Sequence, residues 1–415
     1  MKEVNTNARS FHIERYCPAC GGQPCTSALN MPDHPSFMFP MSKTGAASVK
    51  RAPLSLEICH NCGHIFQATV DRDLLKLIYQ DYYADYPYDT DEAMIEPYRA
   101  PFLTFAKMIL ESHCKDKGVL VEIGCSKAEN LLPFADHGFR CIGIDPSPLS
   151  GRAAAAHKNI EILEGYYEST QVNEQASVIV SRFNLEHIVD IPTHVQKMRD
   201  DLKDGGLILV QVPNVELWLE NGQPLFAAHE HPQYFCLASL SALFRRFGFS
   251  MVSFYSSGQP SIIACFEKTP TAITVTTPNT YEKFGVYRAS VIRRRETLLS
   301  LLDLSSPVIA YGCGLTLFWL LSELPDDFWA NLIVVDDNQA LHGKYLPAYV
   351  LPVQAPSLDL FATGATVILT LNSLYHPRVI ERLKKLQSTT PIRVLTLGAG
   401  EVDEFVIDER LVERL

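Results

Sequence analysis

Between Gly118 and Asp145 the chain reads as a strand, a turn with one glycine, a helix and a second strand that closes on an acid. Gly118-Val119-Leu120-Val121 is a short valine-rich apolar run without alternation, which predicts a strand buried on both faces of a parallel sheet. Glu122-Ile123-Gly124-Cys125-Ser126 then turns the chain, and residues 129–137 predict an amphipathic helix that tolerates Pro133 near its start. After His137-Gly138, residues 140–144 predict the second strand, which ends in Asp145-Pro146-Ser147. This order opens a doubly wound α/β fold, where ligands sit beyond the carboxyl ends of the strands. Asp145 stands where a carboxylate accepts the hydroxyls of a ribose, and Gly124 where the backbone comes close to the ligand.

The turn Gly124-Cys125-Ser126-Lys127-Ala128-Glu129 has a single glycine, whereas a pyrophosphate site wants G-x-G-x-x-G. Glu122 and Glu129 add carboxylates, which repel a pyrophosphate and suit a ligand carrying an ammonium and a sulfonium. The cofactor expected is therefore S-adenosylmethionine (SAM). Residues 176–180 predict a third buried strand, followed by the polar loop Ser181-Arg182-Phe183-Asn184-Leu185-Glu186-His187-Ile188. A helix over 192–202 then stops at Lys203-Asp204-Gly205-Gly206 before a strand over 207–212. Across 110–265 this order resembles the class I SAM-dependent methyltransferases. The cofactor-binding residues expected are Glu122, Gly124, Ser126, Asp145, Pro146, Arg182 and Asn184.

Near the start lie two C-x-x-C knuckles, Cys17-Pro18-Ala19-Cys20-Gly21-Gly22 and Cys59-His60-Asn61-Cys62-Gly63. A two-residue spacing lets both thiolates of a knuckle face one ion, while the glycines free backbone N–H groups to bond the sulfurs. Cys17, Cys20, Cys59 and Cys62 predict a closed tetrahedral zinc site, structural because four thiolates leave no open position. Residues 31–48 between the knuckles read as loop and hairpin, and His60 as solvent-facing. Residues 79–89 hold five tyrosines beside Pro87, which predicts an irregular segment, either a linker or a lid over the cofactor cleft. Further on, His229-Glu230-His231 follows the strand that ends at Val212. Two imidazoles around a carboxylate form an acid–base set, since a carboxylate can fix the tautomer of a histidine that takes a proton near neutral pH.

Composition removes other classes. With 415 residues and a net charge of −11, the chain lacks the basic balance of a nucleic-acid binder. Its one notable basic run, Arg293-Arg294-Arg295, reads as a solvated helix face. It has no apolar run near the roughly 18 residues of a membrane span and no signal-peptide core, so a cytoplasmic protein with reduced thiols is expected.

The order of a four-cysteine module, Asp85-Tyr86-Pro87-Tyr88, a SAM core, His187-Ile188 and Glu230-His231 resembles the sugar C-methyltransferases of deoxysugar pathways. Beyond them, a helix over 288–302 leads to Val308-Ile309-Ala310-Tyr311-Gly312-Cys313-Gly314, a second strand and turn, and Leu332-Ile333-Val334-Val335 ends at Asp336-Asp337. The family has such a C-terminal Rossmann-like domain. The resemblance implies a zinc module over 1–80, a SAM-binding methyltransferase domain over 81–270 and a C-terminal domain over 271–415 that helps to hold the substrate. It implies a small-molecule substrate, a nucleotide-linked keto-deoxysugar, with no nucleic-acid or membrane partner. It gives His231 the base role, Glu230 the task of orienting it or binding substrate, and His187 with Tyr86 or Tyr88 the developing oxyanion. The chain departs from the family at Ser126-Lys127-Ala128, where Asn and a second Gly are usual. It departs again at Ala228, where an aromatic is usual, and after Tyr311-Gly312-Cys313, where a lysine is lost. O- or N-methyl transfer, a scaffold without catalysis, and an NAD site at Gly312 and Gly314 are the other readings.

Overall fold

The computed structural model describes residues 16–407 apart from 86–91, 115–116, 148–156, 224, 256–259, 270–279, 304–306, 324–328, 330, 362–363, 372–374, 387–390 and 398–400. Tyr86 and Tyr88 lie outside the described residues. The N-terminal strands are β1 (Cys25–Pro35), β2 (Arg51–Cys59) and β3 (Ile65–Gln67). The central part holds β4 (Val119–Ile123), β5 (Arg140–Asp145), β6 (Ile160–Glu164), β7 (Ala176–Arg182), β8 (Leu202–Pro213), β9 (Gln233–Tyr234), β10 (Phe249–Tyr255) and β11 (Ser261–Lys268). The last part holds β12 (Val308–Tyr311), β13 (Leu332–Val335), β14 (Val353–Gln354), β15 (Thr366–Leu369), β16 (Ile392–Leu397) and β17 (Val402–Ile407). The architecture is α/β, with helices packed against two doubly wound sheets.

The central sheet has the order β10-β11-β8-β7-β4-β5-β6, parallel from β8 to β6, with β11 antiparallel to β8 and to β10. Strand β4 is buried along its whole length, as its unbroken apolar run requires. The chain leaves β4 for β5 on one side and later adds β7 on the other, which opens a crevice at the carboxyl end of β4. The third sheet repeats the device with the order β14-β13-β12-β15-β16-β17, parallel except for β17.

The small sheet holds a surprise: its order is β1-β2-β3-β9. Residues 233–234, from deep within the central part, complete the N-terminal sheet, with Ile65 opposite Tyr234 and Phe66 opposite Gln233. The N-terminal module is thereby fastened to the segment that carries Glu230 and His231.

Several sequence expectations change. Residues 31–35 extend β1, and Lys43–Ser48 forms a short helix capped by Ser42, so the loop-and-hairpin reading of 31–48 fails at both ends. The helix expected over 129–137 is Leu131–Asp136, because Ser126 and Ala128 hold left-handed φ angles of 47° and 60° that keep the turn open to Asn130. Residues 203–206 do not stop the preceding helix; Ile191–Asp201 passes directly into β8, and Leu202 pairs with Ala176 across a register shift. The tyrosine-rich segment is helical up to Asp85: Arg72–Leu77 runs into a π-helical turn Ile78–Tyr82 and then Tyr83–Asp85. The wide turn lets tyrosines leave the helix in two directions, Tyr82 into the core and Tyr79 toward the surface.

Candidate active site and metal centre

The cofactor cleft is built on the turn after β4. Gly124 has φ +72°, and a Cβ there would lie 3.2 Å from Asn184 Oδ1, so a side chain would fill the cleft. Gly124 N–H donates to Ile144 O (2.8 Å), tying the turn to β5. Asp145, at the end of β5, accepts from Ser126 N–H through Oδ2 and from Ser147 N–H through Oδ1, each at 2.8 Å. Each oxygen keeps a second lone pair for a ribose hydroxyl. Ser126 and Pro146 are exposed at the rim.

Glu122 Oε2, Asn130 Oδ1 and Asn184 Nδ2 are buried without a protein partner, while Asn130 Nδ2 donates to Glu122 Oε1 (3.3 Å). Burial pushes the Glu122 carboxyl up to about 7, with Arg182 pulling the other way. An acceptor on β4 that gains from a cation and a free amide donor on the loop after β7 suit the ammonium and carboxylate of an amino-acid moiety. Arg182 serves the walls: its guanidinium stacks over Phe102 at 4.6 Å and its Nε donates to Gln211 Oε1 at 2.9 Å. Burial lowers its pKa.

Next to the cleft the chain leaves β7, turns at Phe183 with φ +46°, and winds Leu185–His187 into a 3-10 turn anchored by buried Leu185. That turn puts His187 against His231, ring centroids 4.7 Å apart and edge to face. His187 Nδ1 donates to Glu230 O (2.9 Å) and lies 2.8 Å from Tyr79 Oη. Tyr79 stacks on Tyr83, whose hydroxyl donates to Glu230 Oε1 (3.3 Å). Tyr86 and Tyr88, the tyrosines expected at this site, lie outside the described residues, while Tyr79 and Tyr83 stand beside His187 and Glu230. Only side-chain direction along the π-helical turn selects them, and no local motif carries that.

Burial sets the protonation of this group. It drives His231 well below the ordinary imidazole value, with neighbouring His187 adding to it, and holds His187 down at about 4. Both rings are neutral with lone pairs free at neutral pH. Burial pushes Glu230 up to about 7, with the Tyr83 hydrogen bond opposing it. The expectation that Glu230 orients His231 is corrected here, since its carboxyl bonds Tyr83, and among the described residues no hydrogen bond or ion pair joins it to His231. His229 also leaves the expected set. It stacks on His34 at 5.8 Å, on the side facing the N-terminal sheet.

What holds the 228–231 turn is Gln67, at the end of β3. Its Nε2 donates to Ala228 O (3.0 Å), His229 O (2.9 Å) and His231 O (3.0 Å), and Gln67 N–H donates to Pro232 O (2.9 Å). Tyr234 Oη accepts from Ala228 N–H (2.9 Å) and donates to Ala228 O (3.1 Å), which occupies the backbone where an aromatic side chain is absent.

The four knuckle cysteines converge. Cys17 Sγ lies 3.7 Å from Cys62 Sγ, and Cys20 Sγ lies 3.7 Å from Cys59 Sγ. Zinc–sulfur bonds of about 2.3 Å in a tetrahedron give edges of about 3.8 Å, so the sulfurs already stand at the spacing of a tetrahedral metal site. Gly22 N–H donates to Cys20 Sγ (3.4 Å). His60 is exposed and bonds Thr26 instead, as its reading as a spare residue requires. Cys62 O accepts from Cys236 Sγ (3.5 Å), two residues beyond β9, so the four-cysteine cluster and the 228–236 segment share a wall.

In the C-terminal sheet the β12 turn copies the first. Gly312 N–H donates to Val335 O (2.8 Å), and Asp336 accepts from Cys313 N–H (2.9 Å) and Asn338 N–H (2.8 Å). Asp337 is engaged by Tyr311 Oη (2.6 Å) and Arg382 (2.8 Å). A cavity of about 200 Å³ lies between this turn (Gly314, Leu315, Thr316) and Trp218, Gln223 and Phe226 of the central part.

Residues 91–254 match the family model described as "Methyltransferase domain", and the central doubly wound unit is a class I SAM-dependent methyltransferase domain. Among curated proteins, C-methyltransferase NovU of Streptomyces niveus is 29% identical over 150 residues, covering 34% of this chain and 35% of that protein. Ubiquinone biosynthesis O-methyltransferase of Rhodopseudomonas palustris (strain BisB5) is 29% identical over 100 residues, covering 23% and 40%. The chain spans well under half the length of either relative. A solved structure of Burkholderia thailandensis 1,6-didemethyltoxoflavin-N1-methyltransferase with bound S-adenosylhomocysteine superposes at 16% identity and TM-score 0.40, covering 52% of this chain and 96% of that one. Among the described residues, no helix is long and apolar enough to cross a membrane.

Proposed function

We propose that the protein is a SAM-dependent C-methyltransferase acting on a carbon beside a ketone, in a nucleotide-linked keto-deoxysugar. The observation that carries this reading is the pairing of a neutral, half-buried His231 with the hydrogen-bonding group His187, Tyr79 and Glu230 next to the cofactor cleft. A heteroatom acceptor already has a lone pair, whereas a carbon acid needs a base and an enolate stabiliser together. Similarity to NovU, named a C-methyltransferase, points the same way.

In this mechanism Glu122, Gly124, Ser126, Asp145, Pro146 and Asn184 hold SAM, with Arg182 behind Glu122. When bound, SAM supplies an electrophilic methyl on a sulfonium. His231 removes the proton from the carbon, and the electron pair moves toward the carbonyl oxygen. Tyr79 lines the oxygen's side of the site, where its hydroxyl steadies the charge while His187 Nδ1 holds the Tyr79 oxygen and the Glu230 carbonyl in place. The bound cofactor would supply the methyl group that this carbon takes up, and His231 passes its proton to solvent. Holding carbon and methyl about 3–3.5 Å apart supplies much of the acceleration. The cavity beside Thr316 is suited to the nucleotide end of the substrate, since ligand sites favour domain interfaces. Zinc on Cys17, Cys20, Cys59 and Cys62 is structural. It stiffens the module from which Gln67 holds the base.

O-methyl transfer is the second reading, favoured by the relatives named ubiquinone biosynthesis O-methyltransferases. The test has two parts. Calorimetry should give micromolar SAM binding that Asp145→Ala abolishes. Keto-sugar nucleotides incubated with enzyme in deuterated water should exchange the C–H proton beside the ketone. SAM binding with no exchange on any keto-sugar would favour the O-methyl reading, and no SAM binding would end both.

A further inference from the structure

We infer that Glu186 is a protonated carboxylic acid that donates a hydrogen bond to the substrate's carbonyl oxygen as the enolate forms. The inference rests on the C-methyl-transfer reading and supplies its missing piece, a donor facing the base across the site. Glu186 is 2% exposed and sits on the same 3-10 turn as His187. One side-chain oxygen of Glu186 and a ring nitrogen from each of His187 and His231 lie within 4.8 Å of one another. Yet no hydrogen bond joins the three side chains among the described residues, so they face a shared gap. Glu186 and His231 also line one narrow cleft with Pro213, Val215, Trp218 and Phe235, which in this structure is too tight to hold a water molecule and must widen to admit a substrate.

The chemistry of that gap decides the state of the carboxyl. Oε2 of Glu186 is buried with no partner, and no ion pair reaches the residue among the described groups. A carboxylate so placed would lack both water and a countercharge, a cost of several kcal/mol that protonation removes. Burial accordingly raises the group to about 8. The neighbouring imidazoles are neutral and offer it no charge. A neutral acid is a donor, and acids kept neutral in apolar sites are a known way to stabilise an oxyanion. When His231 takes the carbon proton, the carbonyl oxygen gains charge inside this gap. The Glu186 O–H then donates to it, and the bond weakens again once the C–CH3 bond has formed and the ketone returns. The imidazolium and the new oxyanion compensate each other, so the site never holds an isolated charge.

Substitution separates a neutral donor from an anion. Glu186→Gln keeps a donor of the same shape, whereas Glu186→Ala removes it. C–H exchange into deuterated water is expected to fall about a hundredfold to a thousandfold in Glu186→Ala. It should stay within about tenfold of wild type in Glu186→Gln, with SAM affinity unchanged in both. Infrared difference spectra of wild type minus Glu186→Gln should contain the C=O band of a protonated carboxylic acid, a readout that needs no substrate. Glu186→Gln as inactive as Glu186→Ala, a carboxylate band in place of the acid band, or a metal ion beyond the four-cysteine site that Glu186→Gln releases would each overturn the inference. If wild type itself exchanges no keto-sugar, the C-methyl reading falls, while the infrared arm still decides whether Glu186 carries its proton.

Discussion

Gln67 offers the sharpest link between the N-terminal module and the chemistry, and Gln67→Met tests it. Methionine matches the length of glutamine and removes the amide. The two Nε2 protons are shared by the carbonyls of Ala228, His229 and His231, all within 3.0 Å, and Gln67 is 7% exposed, so water replaces the donor poorly. A net hydrogen bond is worth about 0.5–1.5 kcal/mol, and a buried acceptor left unpaired costs about 1–3 kcal/mol. Losing two shared protons should therefore destabilise the protein by about 2–4 kcal/mol. The larger effect is local: the turn that aims His231 loses its side-chain tether, and a displacement near 1 Å costs about a hundredfold in rate. Gln67→Glu should be worse than Gln67→Met, because a carboxylate would face three carbonyl oxygens. The assays are denaturant unfolding and substrate C–H exchange, with zinc content as a control. A Gln67→Met protein with full zinc, stability within about 0.5 kcal/mol of wild type and unchanged exchange would refute the reasoning.

Other expectations follow from the same structure. Metal analysis should find about one zinc per chain, and Cys59→Ser should lose it together with the order of the N-terminal sheet, since structural zinc supplies folding free energy; a zinc-free protein of unchanged stability would contradict this. SAM binding should release a proton near neutral pH, because burial holds the Glu122 carboxyl at about 7 and a cationic ligand favours its charged form. Calorimetry in buffers of different ionisation enthalpy should detect that release in wild type and not in Glu122→Gln. The unliganded protein should lose stability as pH rises from about 7 to about 8. Glu122, Glu186 and Glu230 hold their protons when folded, at about 7, 8 and 7, while in the unfolded chain they ionise near 4.5. Across that window the native state binds more protons than the unfolded one, which gives stability a negative slope with pH. Six histidines lowered from their unfolded 6.5, His34, His64, His187, His229, His231 and His376, oppose this slope up to about pH 7, where the unfolded imidazoles still bind protons, so the net fall lies above it. A flat or rising profile between about pH 7 and 8 would count against three buried neutral acids.

The sequence makes some of this legible and hides the rest for physical reasons. Strands β4, β5 and β7 announce themselves as unbroken apolar runs because both their faces are covered. Asp145 and Gly124 are readable because one position each, at a strand end and at a tight turn, can do their work. The cysteines are readable because the spacing within each knuckle is the geometry of the site. Gln67 has no such mark, since its partners lie more than 160 residues further along the chain and are backbone atoms. Glu186 sits inside a loop whose sequence reveals nothing of side-chain direction; only the left-handed turn at Phe183 and the 3-10 winding aim it at His231. Tyr79 and Tyr83 were hidden by a segment whose composition argues against a helix and which is helical up to Asp85. The pairing of β3 with β9 is non-local and two residues long, below what alternation can signal.

The most direct test of the central claim is the position of the transferred methyl. The enzyme would be incubated with SAM labelled at the methyl carbon and a panel of nucleotide-linked 4-keto-6-deoxyhexoses, and the product examined by carbon NMR. The account predicts a labelled methyl bonded to the ring carbon beside the ketone, absent with His231→Asn. A labelled methyl on oxygen, or full C-methylation by His231→Asn, would contradict it.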